Sequence, residues 1–181
     1  MTLFLGRILE RMDDAEFAEA AARIGRIVRD LGALFVVNDR VEIAVAVGAD
    51  GVHVGEGDTP VSEVRKRVPA GMMVGASARN YDEAMAMAVS GADYLGVGPV
   101  FPTGSKDDAA PAIGVDELAR ICRAVPQPVV AIGGINRQNL QQVIAAQAAG
   151  AAVIAAVAEA PDMVQATQEL KRMWDHDRWL A

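Results

Sequence analysis

Three short stretches punctuate this chain in the same way: VGADGV at 47–52, SGADYLGV at 90–97 and AAGAAVIA at 148–155. Each reads as a Gly-Ala pair that ends a helical pattern just before an apolar run. Glycine closes a helix because it enters the left-handed backbone region without steric cost. A chain that repeats this closure before its apolar runs is built from recurring helix-to-strand units.

The segments between the junctions agree. DAEFAEAAARIGRIVRDLG, from Asp14, sets Phe17, Ala21, Ile24, Val28 and Leu31 at alternating steps of four and three, an amphipathic helix with Asp13 or Asp14 as cap and Gly32 as stop. LFVVN follows, apolar without alternation, as expected of a strand buried on both faces of a parallel sheet. Helical patterns VEIAVAVGA, VSEVRKRV, YDEAMAMAVSG, VDELARICRAV, NRQNLQQVIAAQAAG and DMVQATQELKRMWD then alternate with strands GVHV, MMVGAS, ADYLGVGPV, PVVAIGG and AAVIAAV. Strict alternation predicts an α/β protein with parallel strands. No glycine-rich dinucleotide fingerprint follows an early strand, so the repeated units read as a (β/α)8 TIM-type barrel rather than a doubly wound sheet.

Counting TLFLGRI as a strand gives seven, one short of a barrel, so the sequence reads as a single domain over residues 1–181 that lacks the first βα unit. In that reading the strand at residues 3–8 and the strand at 151–157 each leave an edge unpaired, and unpaired edges invite another chain. Self-association into a homo-oligomer is therefore expected, with Trp174 and Trp179 near the C-terminus available for the contact.

Composition narrows the function classes. With 52% hydrophobic and 23% charged residues in 181, the chain can bury a sizeable core. A net charge of −7 argues against a nucleic-acid surface but permits a local basic pocket for an anionic ligand. The single Cys122, inside a helical pattern, allows no intramolecular disulfide and fits a reduced setting. His53 and His176 alone do not make a zinc site. The most apolar run, VIAAQAAGAAVIAAVAEA, contains Gln147 and Gly150 and reads as helix then strand, not a membrane span. With no secretory pattern at the N-terminus, the expected place is the cytoplasm.

GVGPVFPTGSKDDAAPAIG, residues 96–114, is too long for a mere connector, and long ordered loops usually carry function. In a βα barrel the functional residues stand at the C-terminal strand ends. Here these are Asn38, Asp39 and Arg40, then His53 and Asp58, then Ser77 and Arg79, then Thr103, Ser105 and Lys106, and Gly133 and Gly134 of IGGI. Carboxylates, hydroxyls, a lysine and glycine amides are what a magnesium-bound phosphate ester requires. Each alone has a structural reading: Asp39 a cap for the helix at Val41, Asp58 a turn residue, His53 a packed core histidine, Ser77 a turn start, Gly133-Gly134 a tight corner, Lys106 a solvated loop lysine. Their joint position at one rim favours the site.

The set VNDR, GVHVGEGD, GASARN, GADYLGVGPVFPTGSK and AIGGI, in this order and covering most of the chain from about Asp13, resembles the thiamine phosphate synthases and their relatives the thiazole tautomerases. The resemblance implies a transferase that joins a pyrimidine methyl diphosphate to a thiazole phosphate and releases diphosphate, acting on small phosphorylated substrates with Mg2+ as cofactor. It implies that Asp39 and Asp58 hold the metal, that Asn38, Ser77 and Lys106 contact the diphosphate, with Ser77 and Lys106 as the catalytic pair, and that Thr103 and Ser105 belong to a phosphate loop. Amides near Gly133, Gly134, Ala155 and Ala156 would cradle the thiazole phosphate. Three positions depart from the family pattern: LGRILERMDD, with Arg7 and Arg11 out of register, replaces a basic strand-end segment, Arg79 replaces a histidine, and Ala156 replaces a serine. The alternatives are a non-catalytic thiazole-phosphate-binding or regulatory protein and a thiazole tautomerase.

Overall fold

The computed structural model describes residues 3–6, 12–104 and 111–177. The chain divides into two compact units, residues 1–76 with 90–93 and residues 77–89 with 94–181.

In the first unit β1 (Leu3–Gly6), α1 (Asp14–Asp30), β2 (Leu34–Asn38), α2 (Val41–Ala46), β3 (Gly51–Val54) and α3 (Val61–Arg67) lead into β4 (Met73–Ala78). Neighbouring strands pair in chain order and all in parallel, with Leu3 opposite Leu34, Asn38 opposite His53 and Gly51 opposite Met73. The second unit continues the alternation with α4 (Tyr81–Val89), β5 (Tyr94–Val97), α5 (Gly114–Ala124), β6 (Val129–Ile132), α6 (Leu140–Ala145), β7 (Gly150–Ala152), α7 (Ala155–Ala158) and α8 (Met163–Asp177). Its strands β5, β6 and β7 are again parallel neighbours. The protein is thus mixed α/β with parallel strands, as the alternating pattern requires.

Local chemistry accounts for the elements. The Asp13 carboxylate accepts the N–H groups of Ala15 and Glu16 at 2.9 Å and Glu16 answers to the Asp13 N–H, a reciprocal cap that starts α1. Gly32 at φ 67 ends that helix. The buried stripe is Phe17, Ala21, Gly25 and Val28 rather than one running on to Leu31, which is 78% exposed. Gly25 joins it because the Phe35 ring packs where a side chain would stand, 3.0 Å from a Cβ placed there. In β2, Phe35, Val36 and Val37 are all buried, and β3 is buried throughout, as strands covered on both faces must be.

The junctions are more regular than their letters. Gly48 and Gly91 lie at φ 62 and 98, followed by buried Ala49 and Ala92 and then by Asp50 and Asp93, whose N–H groups donate to Phe35 and Val74 carbonyls at 2.9 and 2.8 Å. The third junction repeats this at Gln147 (φ 63), buried Ala148 and Ala149, whose N–H donates to the Val129 carbonyl at 2.7 Å. The Gly150-Ala151 pair read as the helix end lies inside β7 instead. The strand expected over 151–157 is correspondingly cut to Gly150–Ala152, and Ala155–Ala158 form a helical turn, the conformation alanine prefers.

Cys122 sits half-buried in α5, and burial pushes its thiol up to about 11, which leaves it a poor nucleophile at neutral pH. Among the described residues no helix is long and apolar enough to cross a membrane.

Candidate functional site

The first unit brings Asn38, Asp39, His53 and Asp58 together at the carboxyl ends of β2 and β3. Asn38 ends β2 opposite His53, and the Asp39 N–H donates to the His53 carbonyl at 2.8 Å. Asp39 takes a left-handed conformation, φ 62, which turns the chain sharply between β2 and α2. The N-cap position of α2 falls on Arg40, which makes no side-chain cap. Asp58 keeps the turn after β3 closed, its Oδ2 accepting the Gly55 N–H at 2.7 Å. The structural reading of Asp58 is therefore present, and it fixes the carboxylate at this strand end.

His53 is 7% exposed. Burial drives its imidazole down to about 4, against the opposing pull of the Asp58 carboxylate, so it is neutral at pH 7. Arg40 is committed elsewhere: its guanidinium donates to Asp14 Oδ1 at 2.7 Å and to the Met12 carbonyl at 2.8 Å and lies 4.3 Å from the Phe17 ring centroid. It ties the turn after β2 to the start of α1.

In the second unit the loop after β5 is built onto the turn after β6. Val100 N–H donates to the Ile132 carbonyl at 2.9 Å and Phe101 N–H to that of Gly133 at 3.1 Å. The loop returns at Ile113 and Gly114, whose N–H groups donate to the carbonyls of Pro99 and Val100 at 2.8 and 3.1 Å. No side chain fits between these backbones. A Cβ on Gly98 would overlap the Ile132 carbonyl oxygen, one on Gly133 would overlap Pro99, and one on Gly134 would come within 2.5 Å of the Pro102 carbonyl oxygen. Gly133 and Gly134, at φ 96 and 64, are thus required by both conformation and space.

Thr103 follows directly on Pro102 in this contact. Ser77 is the penultimate residue of β4. Ala155 and Ala156 open α7, where first-turn N–H groups have no acceptor inside the helix. Ser105 and Lys106 lie outside the described residues, as do Arg7, Arg11 and Trp179.

Two residues that the sequence reading passed over also shape the IGGI turn. Asn136 and Asn139 both donate their side-chain amides to the Gly134 carbonyl, at 3.2 and 2.9 Å, and Asn139 Oδ1 accepts the Asn136 N–H at 2.8 Å. The signal was available as the spacing INRQN, since asparagines favour such local backbone bonds.

The family model for thiamine monophosphate synthase matches residues 2–157. The chain belongs to the thiamine monophosphate synthase family. It is 48% identical over 167 residues to a thiamine-phosphate synthase of Methanoregula boonei, covering 90% of this chain and 77% of that one. It is likewise 48% identical over 162 residues to the thiamine-phosphate synthase of Methanoculleus marisnigri, with the same coverage. Among solved structures, a thiamine phosphate pyrophosphorylase from Pyrococcus furiosus superposes with a TM-score of 0.87 at 37% identity, covering 96% of this chain and 82% of that one.

Proposed function

We propose that this chain is a thiamine phosphate synthase, a transferase of thiamine biosynthesis that joins a hydroxymethylpyrimidine diphosphate to a thiazole phosphate and releases diphosphate. The observation that carries the reading is the 48% identity to thiamine-phosphate synthases over nine-tenths of the chain. On this reading the strand-end residues form a phosphate-ester site rather than a set of coincident caps and turns. The (β/α)8-barrel reading rests on the same membership and on the βα alternation within each unit.

Asp39 and Asp58 fit a magnesium ion by the chemistry of their donors. Mg2+ is held by one or two carboxylates together with substrate phosphate oxygens and water, and both carboxylates stand at the carboxyl ends of adjoining strands, Asp58 fixed by its bond to Gly55. Among the described residues no cluster of three or more His, Cys, Asp or Glu side chains could hold a metal ion, and a cation shared with substrate oxygens needs no such cluster. When bound, the metal supplies positive charge to the diphosphate oxygens as the C–O bond breaks. Asn38 and Ser77 donate hydrogen bonds to the same leaving group. On the family resemblance Lys106 supplies an ammonium to the same diphosphate, and positive charge there stabilises the departing anion.

The backbone amides near Gly133, Gly134, Ala155 and Ala156, with Thr103 and Ser105, bind the thiazole phosphate. Amide binding explains why Ala156 suffices where a serine hydroxyl is otherwise found. The substrates are small phosphorylated molecules, no nucleic acid or membrane is engaged, and the chain works in the cytoplasm as a homo-oligomer. Expression in a bacterial strain that lacks thiamine phosphate synthase tests the reading. Growth without added thiamine is expected, and absence of growth with soluble protein present contradicts it.

A further inference from the structure

Asn139 holds the N-cap position of α6, where an asparagine ordinarily accepts an N–H of its own helix, yet its side chain makes no such cap. It reaches backwards instead. Its Nδ2 donates to the Gly134 carbonyl at 2.9 Å and its Oδ1 accepts the Asn136 N–H at 2.8 Å. Asn136 Nδ2 donates to the same carbonyl at 3.2 Å, and Asn136 Oδ1 accepts the Gln138 N–H at 2.9 Å. Neither amide can be reversed, since that would set its oxygen against the Gly134 carbonyl.

A carbonyl gripped by two side chains fixes more than itself. The peptide unit is planar and trans, so the Ile135 N–H, in one plane with the Gly134 carbonyl, points away from the asparagine pair. The preceding peptide is fixed as well, because the Gly133 carbonyl accepts the Phe101 N–H at 3.1 Å. Ile135 is 4% exposed, and its N–H has no acceptor among the described residues. Backbone N–H groups of buried residues are nearly always paired, so one held in place without an acceptor points to a ligand that supplies it. Accepting two hydrogen bonds also polarises the shared peptide, which makes its N–H a stronger donor.

We propose that Asn136 and Asn139 are positioning residues, which aim and polarise the Gly134–Ile135 peptide so that the Ile135 N–H donates to a phosphate oxygen of the substrate. That this phosphate is the thiazole phosphate rests on the function proposed above. The glycines make the turn possible and the asparagines decide which way its peptide faces. Gly134, at φ 64 and with no side chain of its own, has the freedom to let that peptide rotate, so the hold must come from outside. A donor fixed beforehand needs no reorganisation when the anion arrives.

Amide NMR of the isotope-labelled full chain titrated with inorganic phosphate tests this, alongside steady-state kinetics with both substrates. The Ile135 resonance should move with added phosphate and saturate. Asn139→Ala should weaken that binding by about three- to tenfold, the scale of one hydrogen bond, and Asn136→Ala, on the longer bond, by less. The KM for the thiazole phosphate should rise with it while the KM for the pyrimidine diphosphate stays level. Gln127→Ala serves as the stability control: it removes a side-chain bond to the Ala88 carbonyl, 2.9 Å long, before the start of β6 rather than beyond its end. It should lower the melting temperature and leave phosphate binding within about twofold of the parent. Where Asn139→Ala does not fold, Asn136→Ala is read alone. An Ile135 resonance that phosphate does not move in the parent, parent-like binding in the folded asparagine variants, or a loss in Gln127→Ala equal to theirs overturns the assignment. Parent turnover decides the synthase reading separately: asparagine-dependent phosphate binding at Ile135 without turnover keeps this inference and removes that one.

Discussion

Asp50 grips Phe35 twice: its N–H donates to the Phe35 carbonyl at 2.9 Å and its carboxylate accepts the Phe35 N–H at 2.8 Å. Asp93 does the same to Val74, with 2.8 Å for its N–H and 2.7 Å at its carboxylate. In each case the aspartate that closes a GAD junction holds the start of the strand before the preceding helix. Arg65 supports the second clamp, pairing with the Asp93 carboxylate and donating to the carbonyls of Gly91 and Met72.

Removing one clamp leaves a buried strand N–H without its charged acceptor. Asp50→Ala should therefore lower stability by roughly 1.5–3 kcal/mol, the range for a hydrogen bond to a charged group. Urea unfolding gives the value, and a change under about 0.5 kcal/mol, the scale of an ordinary surface substitution, would show that the clamp is incidental.

The left-handed residues of the junctions differ in kind. Gly48 has open space where a Cβ would stand, so Gly48→Ala should cost about 1 kcal/mol through backbone conformation alone. Gln147→Gly, in the same conformation, should stabilise by up to about 1 kcal/mol, because a non-glycine side chain is strained at φ 63. Opposite signs in thermal unfolding are expected, and equal signs would contradict the shared geometry.

The same junctions show how far the sequence could be read. Gly-Ala letters marked the first two correctly because glycine is the usual left-handed residue. The third escaped because Gln147 adopts that conformation without being glycine, while the letters point to Gly150. Periodicity placed α1 and its Gly32 stop and left the cap between Asp13 and Asp14, of which Asp13 is the one, but it put Ile24 and Leu31 on the buried stripe and missed Gly25, since spacing cannot reveal that the Phe35 ring fills a glycine's place. At the strand ends, residue types and order singled out Asp39, Asp58, Ser77 and the IGGI turn as candidates. The letters could not show that Arg40 binds α1, that Asn136 and Asn139 hold Gly134, or that Gly98 is required by the Ile132 carbonyl, because each is a contact seen only in the folded chain.

Acid stability follows from His53. Its folded-state value near 4 lies below the ordinary 6.5, so the unfolded chain takes up this proton first. The contribution is full above about pH 6.5 and is lost as pH falls towards 4, amounting to about 3 kcal/mol across that window. His53→Gln should flatten this part of the stability curve relative to the parent chain. Parallel curves for the two in denaturant unfolding between about pH 7 and 4 would show that the imidazole does not carry it.

The most direct measurement mixes purified chain with hydroxymethylpyrimidine diphosphate, thiazole phosphate and Mg2+ and follows both products. Thiamine phosphate and diphosphate should form in equal amounts, stop when EDTA is added, and slow by about two to three orders of magnitude in Lys106→Ala, the scale for losing one preorganised charge stabiliser. A folded chain that binds both substrates and forms neither product would contradict the synthase reading.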